Sequence, residues 1–353
     1  MNFFVIGYYA MLIGGSCLAA YYNIRGAFLL LFSLTLASFL IGIIGGESAL
    51  WSMTIVAGII ALAAGTSYAF REFLIIILPR NGAKLMRTAP LTASFGLFIV
   101  GVYAITGIFA PVIAPFGEAE IVTEAFAPAD SVYLLGGDQL GRDLFSRLVF
   151  GARNTVGLAL VATTAAFVMG AFAGLLAATL GGWLDQVIGR FADVVMSIPS
   201  LIFALLMLSI FGTNAFVLVI IVAIIYSPRV FRLTRAVAGN IVVMDYIEAA
   251  RLRGEGMWYL IRKEILPNST APLIAEFGLE FCFVFLLIAG LSFLGLGIQP
   301  PTADWGSMVR ENATLISFGE ITPLIPAAAI ALLTVSVNFV VDWMLYRSSG
   351  LKE

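Results

Sequence analysis

Histidine is missing from this sequence altogether, and cysteine occurs twice in 353 residues. Without an imidazole, no Ser–His or Cys–His catalytic arrangement can be built within the chain. The two thiols, Cys17 and Cys282, lie in separate apolar runs with no metal-binding or disulfide spacing. They read as small apolar packing groups. Charge is scarce as well. Lys and Arg number 19 and Asp and Glu 21, so only 11% of residues are charged. A soluble domain carries about 25%. The net charge of −2 gives no electrostatic footprint for nucleic acid. No Gly-rich loop with a P-loop lysine is present, so nothing here is built to cradle a nucleotide phosphate.

What fills the chain is hydrocarbon: 61% of residues are hydrophobic and the mean hydropathy is +1.03. A spanning helix needs about 20 apolar residues in a row. Runs of that kind recur at 3–22, 27–44, 50–70, 91–113, 156–180, 272–296 and 323–346. Between 190 and 226 two further helices are expected, parted by Gly212, Thr213 and Asn214. The fold class is therefore an all-α integral membrane protein. The N-terminus lacks the basic leader of a cleavable signal. The patch 73–78 is too short to span unless it extends the preceding helix across Arg71 and Glu72, and reads as interfacial.

Polar residues gather in two intervals. The first, 116–153, is acidic and holds Gly136, Asp138, Gly141, Arg142, Asp143, Ser146, Arg147, Gly151 and Arg153. The second, 229–270, holds seven of the nineteen Lys and Arg residues. Basic residues concentrate on the cytoplasmic side. The 229–270 interval is therefore expected inside, with 116–153 and 298–320 outside and Arg347 and Lys352 inside again. Within 229–270, Asp245 stands three residues before Glu248, the spacing of a reciprocal helix cap. Ala249, Ala250 and Gly254 keep one side of that helix small. A second short helix is expected over 257–263, closed by Pro267, with Ser269 or Thr270 capping the next span and Pro272 in its first turn. Pro199 sits within an apolar helix, as a packing kink or a gate hinge. Glu276 and Glu280 fall within a span, where an acid is a functional candidate by default. The plainer reading places both within snorkelling reach of cytoplasmic water. Pro199 and Glu280 are the candidates for a gate or pore lining.

The pattern Glu248-Ala249-Ala250, three residues, Gly254, nine residues, then Glu264-Ile265-Leu266-Pro267 resembles the cytoplasmic signature of permease subunits in binding-protein-dependent ABC importers. Glu264 stands where the general pattern has isoleucine. The Asp138 to Arg153 motif, Leu291–Gly297 and Trp305-Gly306 with Met308 resemble the C-type permease of the dipeptide, oligopeptide and nickel branch. The likeness spans 83–347. Three positions depart from it: Gly137 for threonine, which should loosen that corner; Ile288 for an acid; and Val341 for glycine.

The resemblance implies a six-helix type I permease core over 80–353, preceded over 1–79 by about three accessory transmembrane helices. It implies a coupling helix, made by Asp245, Glu248, Ala249, Ala250, Gly254 and Pro267, that docks on an ATPase. It implies an extracytoplasmic loop, with Asp138, Gly141, Arg142, Asp143 and Arg147, forming an ion-paired surface for a binding protein. Direct substrate contact by Arg142 or Asp143 is the lesser reading. The partners implied are a homologous B-type permease, two ATPase subunits and an extracytoplasmic substrate-binding protein. No cofactor is expected in this chain; ATP and Mg belong to the ATPases. No catalytic residue or metal ligand is expected. The setting implied is a bacterial or archaeal cytoplasmic membrane, and the cargo di- or oligopeptides, with nickel second. The rival reading is a stand-alone secondary transporter or channel, which would call for inverted repeats and broken helices carrying ion ligands. No internal repeat is visible. A membrane enzyme would need a catalytic cluster, and none is plausible. Counting three spans back from a cytoplasmic Arg80, Lys84 and Arg87 places Met1 outside.

Overall fold

The computed structural model describes residues 3–21 and 25–348. Met1, Asn2 and Lys352 lie outside them, and the Cys17 side chain is likewise not described. Helix dominates, and the only β pairing among the described residues is two isolated bridges, Ile121 with Arg142 and Gly137 with Asp143. The chain divides into two compact units, Met1–Leu91 and Thr92–Glu353.

The first unit holds α1 (Phe3–Tyr21), α2 (Arg25–Ile77) and the short α3 (Arg80–Arg87). Tyr8 and Ser38 share a buried 2.6 Å hydrogen bond that ties α1 to α2. The break expected at 45–49 is absent. Residues 25–77 form one helix of 53 residues, about 80 Å long at 1.5 Å per residue. Gly45 and Gly46 cost about 1 kcal/mol each against alanine, but the surrounding sequence contains no proline and continues the helix through them. The same helix runs across Arg71 and Glu72, which pair at 3.4 Å. The 73–78 patch therefore extends a helix instead of lying apart from one. Arg80, Lys84 and Arg87 sit on α3, a strongly amphipathic helix.

The second unit carries five helices long and apolar enough to cross a membrane, and a bent pair that makes a sixth span if its two parts act together. They are α4 (Leu91–Ile108), α6 (Leu144–Leu180), α9 (Ala215–Val242), α11 (Met257–Phe293) and α13 (Leu324–Ser348). The bent pair is α7 (Gly182–Met196) and α8 (Ser200–Phe211). Shorter helices in the unit are α5 (Ala110–Ile113), α10 (Asp245–Leu252) and α12 (Trp305–Asn312), with a 3-10 turn at Ala313–Phe318.

Several expected boundaries move, each for a local reason. Helix α6 starts at Leu144, inside the interval read as loop, because the Asp143 carboxylate accepts the Ser146 N–H at 2.8 Å and caps it. It passes through a π turn at Ala152–Val156. The stretch 182–189, between two expected helices, is the first part of α7. Pro199 does not lie inside a helix; it stands at the N-cap of α8, at an 88° corner with α7. Helix α9 does not stop at Tyr226. Pro228 lacks the N–H that would bond the Ile224 carbonyl, and the Ser227 hydroxyl donates to that carbonyl at 3.4 Å instead. Helix α11 is also continuous. A π turn at Leu260–Ile265 precedes Pro267, and the helix runs on through Pro267 and Pro272. Pro267 therefore closes nothing, and Ser269 and Thr270 are mid-helix residues.

In lipid, apolar contact alone drives no association between helices, so small residues decide which backbones meet. Helices α6 and α9 meet through Gly170 and Gly174. A Cβ added at Gly174 would lie 2.7 Å from the Thr234 Cβ. Val341, where glycine was expected, is accommodated by Gly278 on α11, whose added Cβ would run into a Val341 methyl. The small residue of the α11–α13 contact is on α11.

Two candidate functional sites

The elbow joins α9 to α11. Its helix, α10 (Asp245–Leu252), is short and two-faced. Ile247 and Ala250 are fully buried and pack on Leu175, Ala238, Ile241, Leu260, Ile261 and Ile265. Residues 245, 248, 249 and 252 recur at helical spacing and are exposed, with Leu252 83% exposed. Asp245 is not the cap. Met244 occupies that position without a side-chain cap bond, and Asp245 is the first helical residue. Glu248 does not reach back to it.

Glycine 254 has a different task from the one its size suggested. Its φ is +84° and nothing lies within 4 Å of where a Cβ would be. Glu255 N–H donates to the Ala250 carbonyl at 3.2 Å, and Gly254 N–H to the Arg251 carbonyl at 2.9 Å. This is the Schellman termination, which requires a left-handed residue at that point. Gly254 therefore shapes the turn, and Ala250 packs inside the chain. The surface offered outward consists of Asp245, Tyr246, Glu248, Ala249, Arg251, Leu252 and Arg253.

The second site lies at the opposite ends of α9 and α11, where the 116–153 interval meets α12. The charged side chains predicted to form a surface are internal. Asp138, Arg142, Asp143 and Arg147 are each at most 3% exposed. Asp138 Oδ1 accepts from the Leu140 and Arg142 N–H groups at 2.8 and 3.0 Å. Its Oδ2 accepts from Arg142 Nε at 2.6 Å. Arg147 Nε stands 3.4 Å from the same oxygen, an ion-pair contact without a hydrogen bond. Both arginines then converge on one carboxylate oxygen, Glu311 Oε2, at 2.8 and 3.1 Å. Two acids and two arginines form a neutral buried set. Glu311 had drawn no attention in the sequence, because its partners lie more than 160 residues away.

Further bonds extend the clamp. Glu118 Oε2 accepts from Asn154 and from the Ala303 N–H at 2.9 and 2.7 Å. Thr155 donates to Asp304 Oδ2 at 2.8 Å and accepts the Trp305 N–H at 3.1 Å. The π turn at Ala152–Val156 presents Asn154 and Thr155 to these partners. Burial pushes the Asp304 carboxyl above the usual range, opposed by bonds from Ser307 and Thr155. Gly141 holds a φ of +76° beside Asp138. At Gly137 an added Cβ would stand 2.8 Å from the Thr123 side chain and 3.0 Å from the Glu124 carbonyl, so the chain approaches itself closely there.

The two pore candidates also change character. Pro199 lines a cavity of about 360 Å³ together with Tyr226 and Arg229. Glu280 is 2% exposed, so it does not snorkel to water. The site expected from sequence at Ile288 is apolar and buried.

This set of features defines a polytopic membrane permease subunit with a protruding elbow at one end and an ion-clamped loop at the other. Residues 166–349 match the family of binding-protein-dependent transport system inner membrane components, and the chain belongs to that family, as an ABC importer permease. It is 34% identical over 266 residues to the probable D,D-dipeptide transport system permease protein DdpC of Escherichia coli, covering 74% of this chain and 89% of that protein. It is 34% identical to the di/tripeptide transport system permease protein DppC of Pseudomonas aeruginosa, covering 70% and 84%. The glutathione transport system permease protein GsiD of Pectobacterium atrosepticum is 34% identical over 60% of this chain and 70% of its own length.

Proposed function

We propose that this chain is the C-type pore subunit of an importer for di- or oligopeptides. Its partners are a homologous B-type permease, two ATPase subunits and an extracytoplasmic binding protein. The observation that carries the reading is the outward face of α10. Leu252 and Tyr246 are exposed among charges on a helix that stands outside the apolar spans, where no lipid would cover them. A groove on an ATPase would. ATP and Mg act on those partners, not on this chain. The basic elbow marks the cytoplasmic side and the clamped loop the outside.

The packing supports α10 as a lever. Its buried face locks to the ends of α6, α9 and α11. A force on the elbow therefore reaches three spans without a flexible joint. Two ion pairs, Arg232 with Asp193 at 3.2 Å and Arg235 with Asp185, hold α7 to α9 as well. ATPase closure would thus carry the α7–α8 corner along with α9. The clamped loop forms the rigid outer frame.

Expression with its neighbouring genes tests the reading. A tagged chain should bring down an ATP-hydrolysing subunit, and cells should accumulate labelled dialanine in an ATP-dependent way. Uptake by this chain alone, driven by an ion gradient, would overturn it.

A further inference from the structure

Arginine 229 is not used by anything described so far. It lies 14 residues into α9 and 13 residues before its end. At 1.5 Å per residue it stands about 21 Å from the outer end, inside a hydrocarbon core about 30 Å thick. Glu280 stands 13 residues before the outer end of α11, about 20 Å deep by the same rise. The two helices are bonded at this level, Tyr226 donating to the Phe283 carbonyl at 3.2 Å.

The guanidinium is nonetheless exposed and forms no ion pair or hydrogen bond with any described residue. It rests on two aromatic faces, 5.4 Å from the Tyr226 ring centre and 5.0 Å from that of Phe283. Those faces fix the cation and leave its N–H edge without an acceptor. In front lies the cavity of about 360 Å³, walled by Met196, Pro199, Ser200 and Leu201 at the α7–α8 corner. A charge at this depth is not left against lipid. It must face water, a partner or a ligand. Glu276 and Glu280 are close enough for the Arg229 charge to act on them, yet neither pairs with it.

We propose that Arg229 is an anion-recognition point on the translocation path, taking the terminal carboxylate of a peptide as it passes the α7–α8 corner. The planar guanidinium fork matches a carboxylate in a bidentate pair. The inference rests on the reading of this chain as an importer pore. The corner is mechanically tied to α9 by Asp185 and Asp193, so the cavity and Arg229 are carried together as the elbow moves.

The test uses the complete complex in cells without other peptide uptake, with labelled dialanine and its C-terminal amide as probes. Wild type must first accumulate dialanine; if it does not, the importer reading fails, not this one. R229Q should still copurify with the ATPase and lose at least tenfold of dialanine uptake, while any uptake of the amide stays at the wild-type level. R229Q/E280Q should remain as defective as R229Q. Recovery of uptake in the double variant would make Arg229 a mere counter-charge for Glu280 and overturn the proposal. So would wild-type dialanine uptake by R229Q, or an equal loss for both probes. Where R229Q does not assemble, R229Q/E280Q is read alone. Assembly without uptake supports the proposal. Assembly with normal uptake, or failure of both variants to assemble, overturns it.

Discussion

Replacing Arg147 with Met should unseat the loop clamp while leaving the cytoplasmic elbow in place. Arg147 is 1% exposed and shares Glu311 Oε2 with Arg142. Its loss leaves Asp138 and Glu311 facing Arg142 alone, a net negative charge in a dry site. Removing one partner of a buried charge set costs about 3–5 kcal/mol. At about 2–4 °C per kcal/mol for a domain of this size, melting should fall by about 6–20 °C. E311Q should cost a similar amount, since it strips the acid from two arginines. The informative variant is R147M/E311Q, in which the set is neutral again with Asp138 and Arg142 still paired at 2.6 Å. It should melt well above the sum of the single losses. Cys282 is 5% exposed, so with Cys17 replaced by Ala a thiol-reactive fluorophore reports unfolding directly. Single variants melting within 2 °C of wild type, or a double variant that loses the full sum, would refute the clamp.

Two further outcomes follow from the packing and the helix count. G278A should cost about 1–3 kcal/mol through overpacking against Val341, read as a lowered melting temperature, and G278A/V341A should recover most of it. In a chain with Cys17 and Cys282 replaced by Ala, a cysteine at position 2 should label with an impermeant maleimide only after lysis. The outcome expected follows from the unbroken α2: one crossing by α1 and one by α2 would put the N-terminus on the Arg80 side, and labelling of intact spheroplasts would refute that count.

Local chemistry was legible in the sequence and pair geometry was not. The elbow could be located because Glu248-Ala249-Ala250 and Gly254 are close in sequence and flanked by apolar runs. Which of them face outward could not. Ala250 is small because Leu175, Ala238 and Ile265 crowd its site, and a three-letter pattern cannot separate that from room left for a partner. Gly254 is glycine for its φ of +84°, a cause invisible without the turn. The loop arginines were found through their spacing, but Glu311 and Glu118 join them only in three dimensions. Prolines misled most. Pro199 makes a corner, while Pro228, Pro267 and Pro272 lie within continuous helices; a hydroxyl adjusts the freed backbone at Pro228 and a π turn precedes Pro267. Glu280 looked like an end residue because the span was begun at Pro272, fifteen residues late.

The central claim is that the outward face of α10 meets an ATPase. A photo-crosslinking amino acid placed at Leu252, 83% exposed, tests it against the same group at Leu140, 53% exposed on the loop at the other end. Illumination of intact cells expressing the neighbouring genes should join position 252 to a subunit that mass spectrometry identifies by its ATP-binding sequence, and should never join position 140 to it. An ATPase adduct from position 140, or none from 252 while the complex transports, would contradict the account.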